Sequence, residues 1–477
     1  MSPSLLFATI AVSLAAPAGA ADSGPSITLY RGDSAALFEG GGSPVAEGYA
    51  VIHERRAVTL DGGRRTVVID GLPSTLDPEA VAVDLGGNAR ILARRVLAAG
   101  DDGLLDAHRG ERVSVFAADG KLIVDGSLLG LDGANLGVRA ADGTVNYVRD
   151  YARVQFPDGS GAPGSTLQLI VDGGAGTTYA DLTYPTSGLG WRAAYTARLL
   201  PGDDCRLRLD ALASIANRSG RDFSAAHLKL IAGEPNFAKP SAPQPVMMKA
   251  RAYSAAAPEA LPEQTALGDY RSYAIDATLD LPDSSVNQVP LYAPAELACA
   301  RTWVVEYGGG WTPPKPMITD NGVQRSHGPV SSQLAFTAGN NLPAGYLRVL
   351  TRGDDGRGEF LGEGRVGDTP RGQKVELTLG TAFDITAARE RTLFDVDQAA
   401  HEMSEGFRVD LANAGETART ITVREHPNRW RNWSLSSSSV KPSRQAPDLL
   451  EFRVEVPAGG KAVLDYAVHY HWTGAEQ

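Results

Sequence analysis

Cysteine is almost absent from this chain of 477 residues, which contains Cys205 and Cys299 and no other. A lattice of several disulfides is therefore excluded, and so is a zinc site built from four cysteines. A chain of this length buries enough apolar surface to fold without either. In an oxidising compartment the two thiols favour a disulfide, but their spacing alone leaves this open against two separate buried thiols.

Basic residues are fewer than acidic residues and do not cluster in the sequence. The chain carries 45 basic and 56 acidic residues, and its formal net charge is -11. A nucleic-acid backbone selects proteins with clustered positive charge. We therefore expect no nucleic-acid partner.

Long apolar runs are missing from the chain after its N-terminal segment. None of the later apolar runs approaches the roughly 20 residues that a membrane-spanning helix requires. The stretch from Leu5 to Ala16 has the length of a signal-peptide core, and Ala18-Gly19-Ala20 is a small-residue cleavage pattern. We predict that residues 1–20 are a signal peptide, removed before Ala21. After removal we expect a protein that spans no membrane and is periplasmic or extracellular.

Glycine and proline, by contrast, are abundant, with 53 and 29 residues. They separate short segments in which apolar and polar residues alternate. In segment 112–129 such alternation flanks Asp119-Gly120, a sequence typical of a two-residue hairpin turn. The pattern recurs along the chain and predicts antiparallel strands. Helical spacing is scarce, and the best candidate for a helix, roughly 395–405, is short and lies beside a strand pattern.

The sequence therefore predicts an all-β fold in two regions. We expect an N-terminal β-domain over residues 21–160, followed by a larger β-sandwich-like region over 165–473. A stretch at 235–263 is rich in proline, alanine and serine and shows no periodicity. We interpret it as a loop that interrupts the second region.

Motifs in the second half of the chain resemble a known family. They are GLGWRAAY at 188–195, IANRSGRDF at 215–223, LPAGY at 342–346, TPRGQKVELTLG at 369–380, VREHP at 423–427 and EFRVEVPAGG at 451–460. Together they resemble the exported domain-of-unknown-function 4139 family. Longer relatives, including mucoidy-inhibitor-A-like proteins, carry a coiled coil, and this chain is similar to a short form without one. The resemblance implies export and fold, and it brings no catalytic residues.

Sequence signatures of catalysis are missing. The G-x-G-x-x-G at 362–367 is followed by Asp368-Thr-Pro370, which does not begin the helix that a dinucleotide site requires. A nucleophile-elbow serine motif and a phosphate-binding loop are absent. We therefore expect no cofactor. The alternative is a hydrolase of the cell envelope with a site assembled around Glu425, His426 and Asn428.

The last strand contains a weak candidate metal site. Because alternate strand residues share a face, His469 and His471 lie on the same side as Asp465. The opposite face, with Val468 and Tyr470, is the one expected to point inward. We therefore expect a solvated pair of histidines and no bound metal.

Three tryptophans stand out as candidate binding residues. Trp311 lies in a segment rich in glycine and proline, whereas Trp430 and Trp433 form a cluster with neighbouring arginines. Tryptophan and arginine dominate binding hot spots. For Trp430 and Trp433 the alternative, a place in the core, remains open. We interpret the chain as a non-catalytic binding or structural module of the cell envelope, whose partner is an envelope protein or a polysaccharide.

Overall fold

The computed structural model describes residues 24–156, 161–202, 204–233, 235–236, 263–309, 311, 313–322, 325–353 and 356–476. The expected signal peptide, and all of the expected loop at 235–263 except its first two residues and its last, lie outside these residues. The described residues are almost entirely strands joined by turns. The all-β fold predicted from the alternating pattern is thereby confirmed.

The elements alternate between strands and tight connections. In chain order they are β1 (Ser26–Tyr30), α1 (Ala35–Phe38), β2 (Ala50–Asp61), β3 (Arg65–Leu72), β4 (Ala82–Leu85), β5 (Arg90–Leu97), α2 (Asp101–Ala107), β6 (Arg112–Phe116), β7 (Leu122–Asp132), β8 (Asn135–Ala140), β9 (Val145–Val148), β10 (Arg153–Gln155), β11 (Ser165–Asp172), β12 (Ala175–Thr186), β13 (Leu189–Leu199), β14 (Arg206–Asn217), β15 (Phe223–Ala232), β16 (Glu263–Leu267), β17 (Tyr270–Ala274), β18 (Leu279–Leu281), β19 (Ser285–Gly308), β20 (Arg325–Thr337), β21 (Gly345–Arg352), β22 (Gly358–Val366), β23 (Lys374–Asp397), β24 (Glu402–Asn413), β25 (Arg419–His426), β26 (Trp433–Ser438), β27 (Arg444–Ala446), β28 (Leu449–Val456), β29 (Lys461–His471) and a 3-10 turn (Gly474–Glu476).

The chain divides into two compact units. Unit 1 comprises the described residues of Met1–Trp191, Ile215–Ala242 and Pro262–Asn287. Unit 2 comprises the described residues of Arg192–Ser214 and Gln288–Gln477.

Unit 1 contains three sheets. They have the strand orders β16-β17-β15-β1-β2-β12-β4 with β18 beside β15, β10-β6-β7-β8-β9, and β3-β11-β5. The hairpin predicted around Asp119-Gly120 joins β6 and β7, with Val115 opposite Val124. The Asp119 carboxylate accepts a hydrogen bond from the Lys121 N–H, and Gly120 has φ of 82°. Such a turn favours glycine because its backbone is left-handed.

Unit 2 is built on one large sheet that branches at β19. On one side β19 continues into β14, β13, β21 and β22, and two branches extend from it, the first through β20, β23, β24, β29 and β26 and the second through β25, β28 and β27. The two branches share a core in which Val409 and Leu464 of the first cluster with Val423 and Phe452 of the second. This arrangement buries the apolar face of each branch and leaves alternate residues for solvent.

The helical interpretation of residues 395–405 is wrong, because these residues form the hairpin that joins β23 and β24. The Asp397 carboxylate accepts hydrogen bonds from the backbone N–H groups of Ala399 and Ala400. His401 then takes a positive φ of 57°, which ends the turn. An aspartate that binds the backbone in this way favours a turn over a helix.

A disulfide joins the two cysteines of unit 2. Cys205, just before β14, bonds to Cys299 on β19 with a Cα–Cα distance of 5.0 Å. The Cys299 N–H also donates to the Cys205 carbonyl at 2.9 Å. Of the two alternatives that the sequence leaves open, the structure contains the bonded pair.

An asparagine closes a similar turn in each unit. In unit 1, Asn217 Nδ2 donates to the carbonyls of Arg221 and Leu281 at 2.7 and 2.8 Å. In unit 2, Asn413 Nδ2 donates to Thr417 at 2.8 Å, and also to the end of β28. Each amide thus ties a strand-to-strand turn to the end of a neighbouring strand.

Candidate functional site

A buried ionic cluster lies in the core of unit 2. Glu425, which is 3% exposed, accepts a hydrogen bond from Arg389 Nη2 at 2.9 Å and another from the Tyr466 hydroxyl. Arg389 also lies over the ring of Phe407, with its Cζ 3.7 Å from the ring centroid. Burial raises the pKa of Glu425, against the opposing charge of Arg389. All partners of this carboxylate are therefore internal, and its role is to hold the two branches together.

Two of the residues proposed for a hydrolase site, Glu425 and His426, point to opposite faces of the sheet. His426 follows Glu425 on β25, and successive strand residues point to opposite faces. The His426 ring bonds through Nε2 to Glu306 at 2.7 Å and through Nδ1 to the Asp448 carbonyl at 2.6 Å. Asn428 lies beyond the end of β25. The alternation of β25 therefore separates the carboxylate from the imidazole.

A second buried carboxylate, that of Glu405, orients Arg429, which anchors the segment around residues 317–319. Arg429 Nε donates to Glu405 Oε1 at 2.8 Å, and Arg429 Nη1 donates to the carbonyls of Met317 and Thr319, each at 2.9 Å. In return, the Met317 N–H donates to the Arg429 carbonyl at 3.0 Å. A segment without regular structure is thus fixed to the core by charge-assisted hydrogen bonds.

Arg391 makes a parallel contact with the same segment. Its guanidinium bonds to the Asp320 carboxylate and to the Gly322 carbonyl, and it lies 3.6 Å from Glu405. Glu405 therefore orients two arginines, which between them hold residues 317–322.

The three tryptophans predicted from the sequence have different environments. Trp430 is 2% exposed and belongs to the core of unit 2. Trp433 packs against that core, and its Nε1 donates to the Pro447 carbonyl at 2.7 Å. Trp311, in contrast, is 60% exposed. Burial removes the Trp430 ring from any partner's reach, because its contacts are already made inside the protein.

Two of the three weak metal candidates, Asp465 and His469, make other contacts. Asp465 pairs with Arg408, whose Nε lies 2.9 Å from its carboxylate. His469 faces Ser404 and lies 3.8 Å from Glu402, which is opposite His471 in the strand register. Within the described ranges, no group of three or more His, Cys, Asp or Glu side chains is placed to hold a metal ion.

An open cleft of about 280 Å³ was not predicted from the sequence. It forms where β23 bulges away from β20: Pro329 lies opposite Thr386, but Ser331 lies opposite Thr381. Residues 382–385 therefore bulge out, and Phe383 at their centre is 96% exposed. Bulges of this kind redirect side chains and are frequent beside functional sites.

Two arginines flank a tryptophan at this cleft. The guanidinium carbons of Arg301 and Arg419 lie 5.7 and 4.4 Å from the centroid of the Trp303 ring. Arg301 Nη2 donates to Ser332 Oγ at 3.4 Å. Burial, together with the neighbouring charge of Arg419, lowers the pKa of Arg301. Among the residues that the structure describes, neither guanidinium has a carboxylate partner.

Topology explains why the sequence did not reveal this cleft. Arg301 and Trp303 alternate on β19, which is a local pattern, but Arg419 is remote in sequence. The parallel pairing of β19 with β25, in which Trp303 lies opposite Ile421, brings Arg419 beside the ring.

Unit 1 contains a buried histidine, His108, that bonds to two carboxylates, and no sequence motif indicates this arrangement. His108, which is 1% exposed, bonds through Nε2 to Asp70 and through Nδ1 to Glu111, both at 2.8 Å. Burial by itself lowers the pKa of His108, but these two carboxylates outweigh it, and the pKa is raised. Asp70 also accepts a hydrogen bond from the Gly161 N–H at 2.9 Å. The contacts of His108 and Asp70 thus join three segments of unit 1.

We expect the hydrogen bonds of His108 to Asp70 and Glu111 to make the stability of unit 1 depend on pH. The folded pKa of His108 exceeds its unfolded value of about 6.5, so the stabilisation is complete below about pH 6.5 and is lost as the pH rises through the folded pKa. Urea unfolding from about pH 6 to 9 should show a loss of stability in the wild type and a flatter profile in His108→Gln. Equal pH slopes for the two proteins would contradict this assignment.

These features describe an all-β protein with buried ionic clusters that stabilise its core and with exposed aromatic and cationic groups at its surface. A family model described as a domain of unknown function, DUF4139, matches residues 180–473. Because the match covers more than half of the chain, the protein belongs to this family, and the resemblance of its motifs is confirmed. No curated protein matches the chain.

Proposed function

We propose that this protein is an exported, non-catalytic binding module of the cell envelope and that unit 2 contacts its partner through Trp311. The observation that carries the proposal is a ring that is 60% exposed and that precedes a segment fixed by Arg429 and Arg391. An exposed tryptophan ring offers a large apolar face and a polar N–H group to a partner. Such rings dominate the energetics of protein interfaces.

Two observations support export. The N-terminal residues have a signal-peptide pattern, and the Cys205–Cys299 disulfide is typical of proteins in oxidising compartments. In the described part of the chain, no helix is both long and apolar enough to cross a membrane. The proposed partner is an envelope protein or a polysaccharide.

The character of the buried carboxylates supports a non-catalytic role. Glu425 and Glu405 are 3% and 4% exposed, and each is bonded to a mostly buried arginine. A general acid or base must reach the proton of a substrate. Both carboxylates instead act as internal supports for the surface above them.

Substituting Trp311 with alanine tests the proposal. We expect capture of the partner from envelope extracts to fall about tenfold, as for a binding hot spot. The free energy of unfolding should change by less than about 0.5 kcal/mol, because the ring is mostly solvated. Quantitative pull-down and urea unfolding of the same preparations provide the two measurements.

Tyr147→Ala is the matched control, since this ring is 62% exposed but lies in unit 1. It should leave both capture and stability unchanged. If Trp311→Ala loses several kcal/mol, as a buried ring would, or captures the partner as well as the wild type, the role of Trp311 is refuted.

A further inference from the structure

We propose that the cleft beside Trp303 binds the carboxylate of an acidic sugar unit, as carried by a polysaccharide that contains uronic acids. The proposal rests on the proposed function, because it names the class of ligand for a second surface of the same binding module. It is carried by the juxtaposition of Arg301, Arg419 and Phe383 at one open cleft.

The first argument is electrostatic. Arg301 and Arg419 both approach one tryptophan ring, and neither has a carboxylate partner among the described residues. Elsewhere among the described residues, exposed arginines bond to carboxylates, as Arg408 does to Asp465. Two neighbouring guanidiniums that bond to no carboxylate favour an anion, and their planar donor sets match a carboxylate in a bidentate manner.

The second argument concerns the shape and polarity of the remaining lining. Phe383 offers a solvated aromatic face on which the C–H face of a sugar ring can pack. Ser332, Thr381 and Asp384 supply hydroxyl and carboxylate groups around it. Asp384 can accept hydrogen bonds from sugar hydroxyls, whereas it repels a phosphate, which carries more negative charge. This combination favours a carboxylated sugar over a phosphorylated ligand.

A peptide fits the cleft less well. Extended peptides bind by adding a strand to an open sheet edge. Most strands that line the cleft are not edges, because β20 lies between β19 and β23, and β23 lies between β20 and β24, whereas β22, which contributes Leu361, ends the sheet. Outside the bulge the backbones of β20 and β23 are paired with each other, so recognition falls mainly to side chains.

The bulge that presents Phe383 is held in place. The Ala414 N–H donates to the Asp384 carbonyl at 2.8 Å. Ala414 belongs to the turn that follows β24. Asn413 fixes this turn, because its Oδ1 accepts a hydrogen bond from the Gly415 N–H at 3.0 Å. A ligand that enters the cleft therefore meets a preorganised surface, which lowers the entropic cost of binding.

Isothermal titration of the full mature protein tests the proposal. The probes are tetramers of galacturonate and of glucuronate, a neutral galactose tetramer, and glucose 6-phosphate. We expect a uronate tetramer to bind, with affinity that falls as salt rises. Arg301→Gln and Arg419→Gln should each weaken this binding about tenfold or more, and Phe383→Ala should weaken it about threefold to tenfold.

Thermal unfolding separates a ligand site from a structural one. Because neither arginine has an acidic partner, Arg301→Gln and Arg419→Gln should not lower the thermal midpoint. Phe383→Ala should leave it unchanged, because the ring is 96% exposed. A lowered midpoint in the arginine variants would assign them a structural role and overturn the proposal.

Other outcomes also decide the question. Equal binding of the neutral tetramer, tighter binding of glucose 6-phosphate, unchanged affinity in both arginine variants, or failure of both uronate tetramers to bind would each overturn it. Trp311→Ala should bind the uronate tetramer normally. If no uronate binds while capture still depends on Trp311, this inference fails and the proposed function stands. If uronate binds while capture does not depend on Trp311, this inference stands and the proposed role of Trp311 fails.

Discussion

Replacing Glu425 with alanine is expected to lower the free energy of unfolding by about 3 to 5 kcal/mol, because the change leaves the Arg389 guanidinium buried without its counter-charge. The wild-type carboxylate bonds to both Arg389 and Tyr466 within the core of unit 2. The loss should therefore far exceed that of a surface ion pair, which contributes about 0 to 1 kcal/mol. Urea unfolding at neutral pH measures it, with Arg408→Ala as the exposed-pair control.

A triple variant tests the physical cause. Arg389→Met, Glu425→Met and Tyr466→Phe together remove every charged or polar member of the cluster. Because no buried charge is left unpaired, we expect this variant to recover most of the stability that Glu425→Ala loses. If Glu425→Ala costs less than about 1 kcal/mol, or if the triple variant is as unstable as the single one, the cluster does not support the core as described.

Removing the disulfide is expected to produce the second large effect. Cys205→Ala with Cys299→Ala should lower the free energy of unfolding by about 2 to 4 kcal/mol, since the bond closes a loop between residues 94 positions apart and so restricts the unfolded chain. Unfolding with and without reductant provides the measurement. Reductant should destabilise the wild type and leave the double variant unchanged. A wild type that is equally stable when fully reduced would contradict the expectation.

The all-β fold was predictable because its signals are local. A strand repeats every two residues, and turns such as Asp119-Gly120 carry their own backbone chemistry. The short helix near 395–405 failed for a local reason as well. Asp397 binds the following backbone N–H groups and begins a turn, so the apparent helical spacing is interrupted.

The sites were less predictable because they depend on long-range pairing. Trp311 was recognisable because glycine and proline surround it, but the exposed fraction of a ring cannot be read from its neighbours in sequence. Arg301 and Arg419 meet only because β19 pairs in parallel with β25. His108 and Asp70 are likewise joined across distant segments. Glu425 drew attention as a reactive residue, and its actual environment is a closed ionic cluster.

Site-specific photo-crosslinking in exporting cells tests the central claim most directly. A benzophenone-bearing amino acid would replace Trp311 in one protein and Tyr147 in another; both positions are exposed, but the second lies in unit 1. If unit 2 contacts an envelope partner through Trp311, illumination should yield a high-mass adduct from position 311 and none from position 147. Adducts from neither position, or the same adducts from both, would contradict the account.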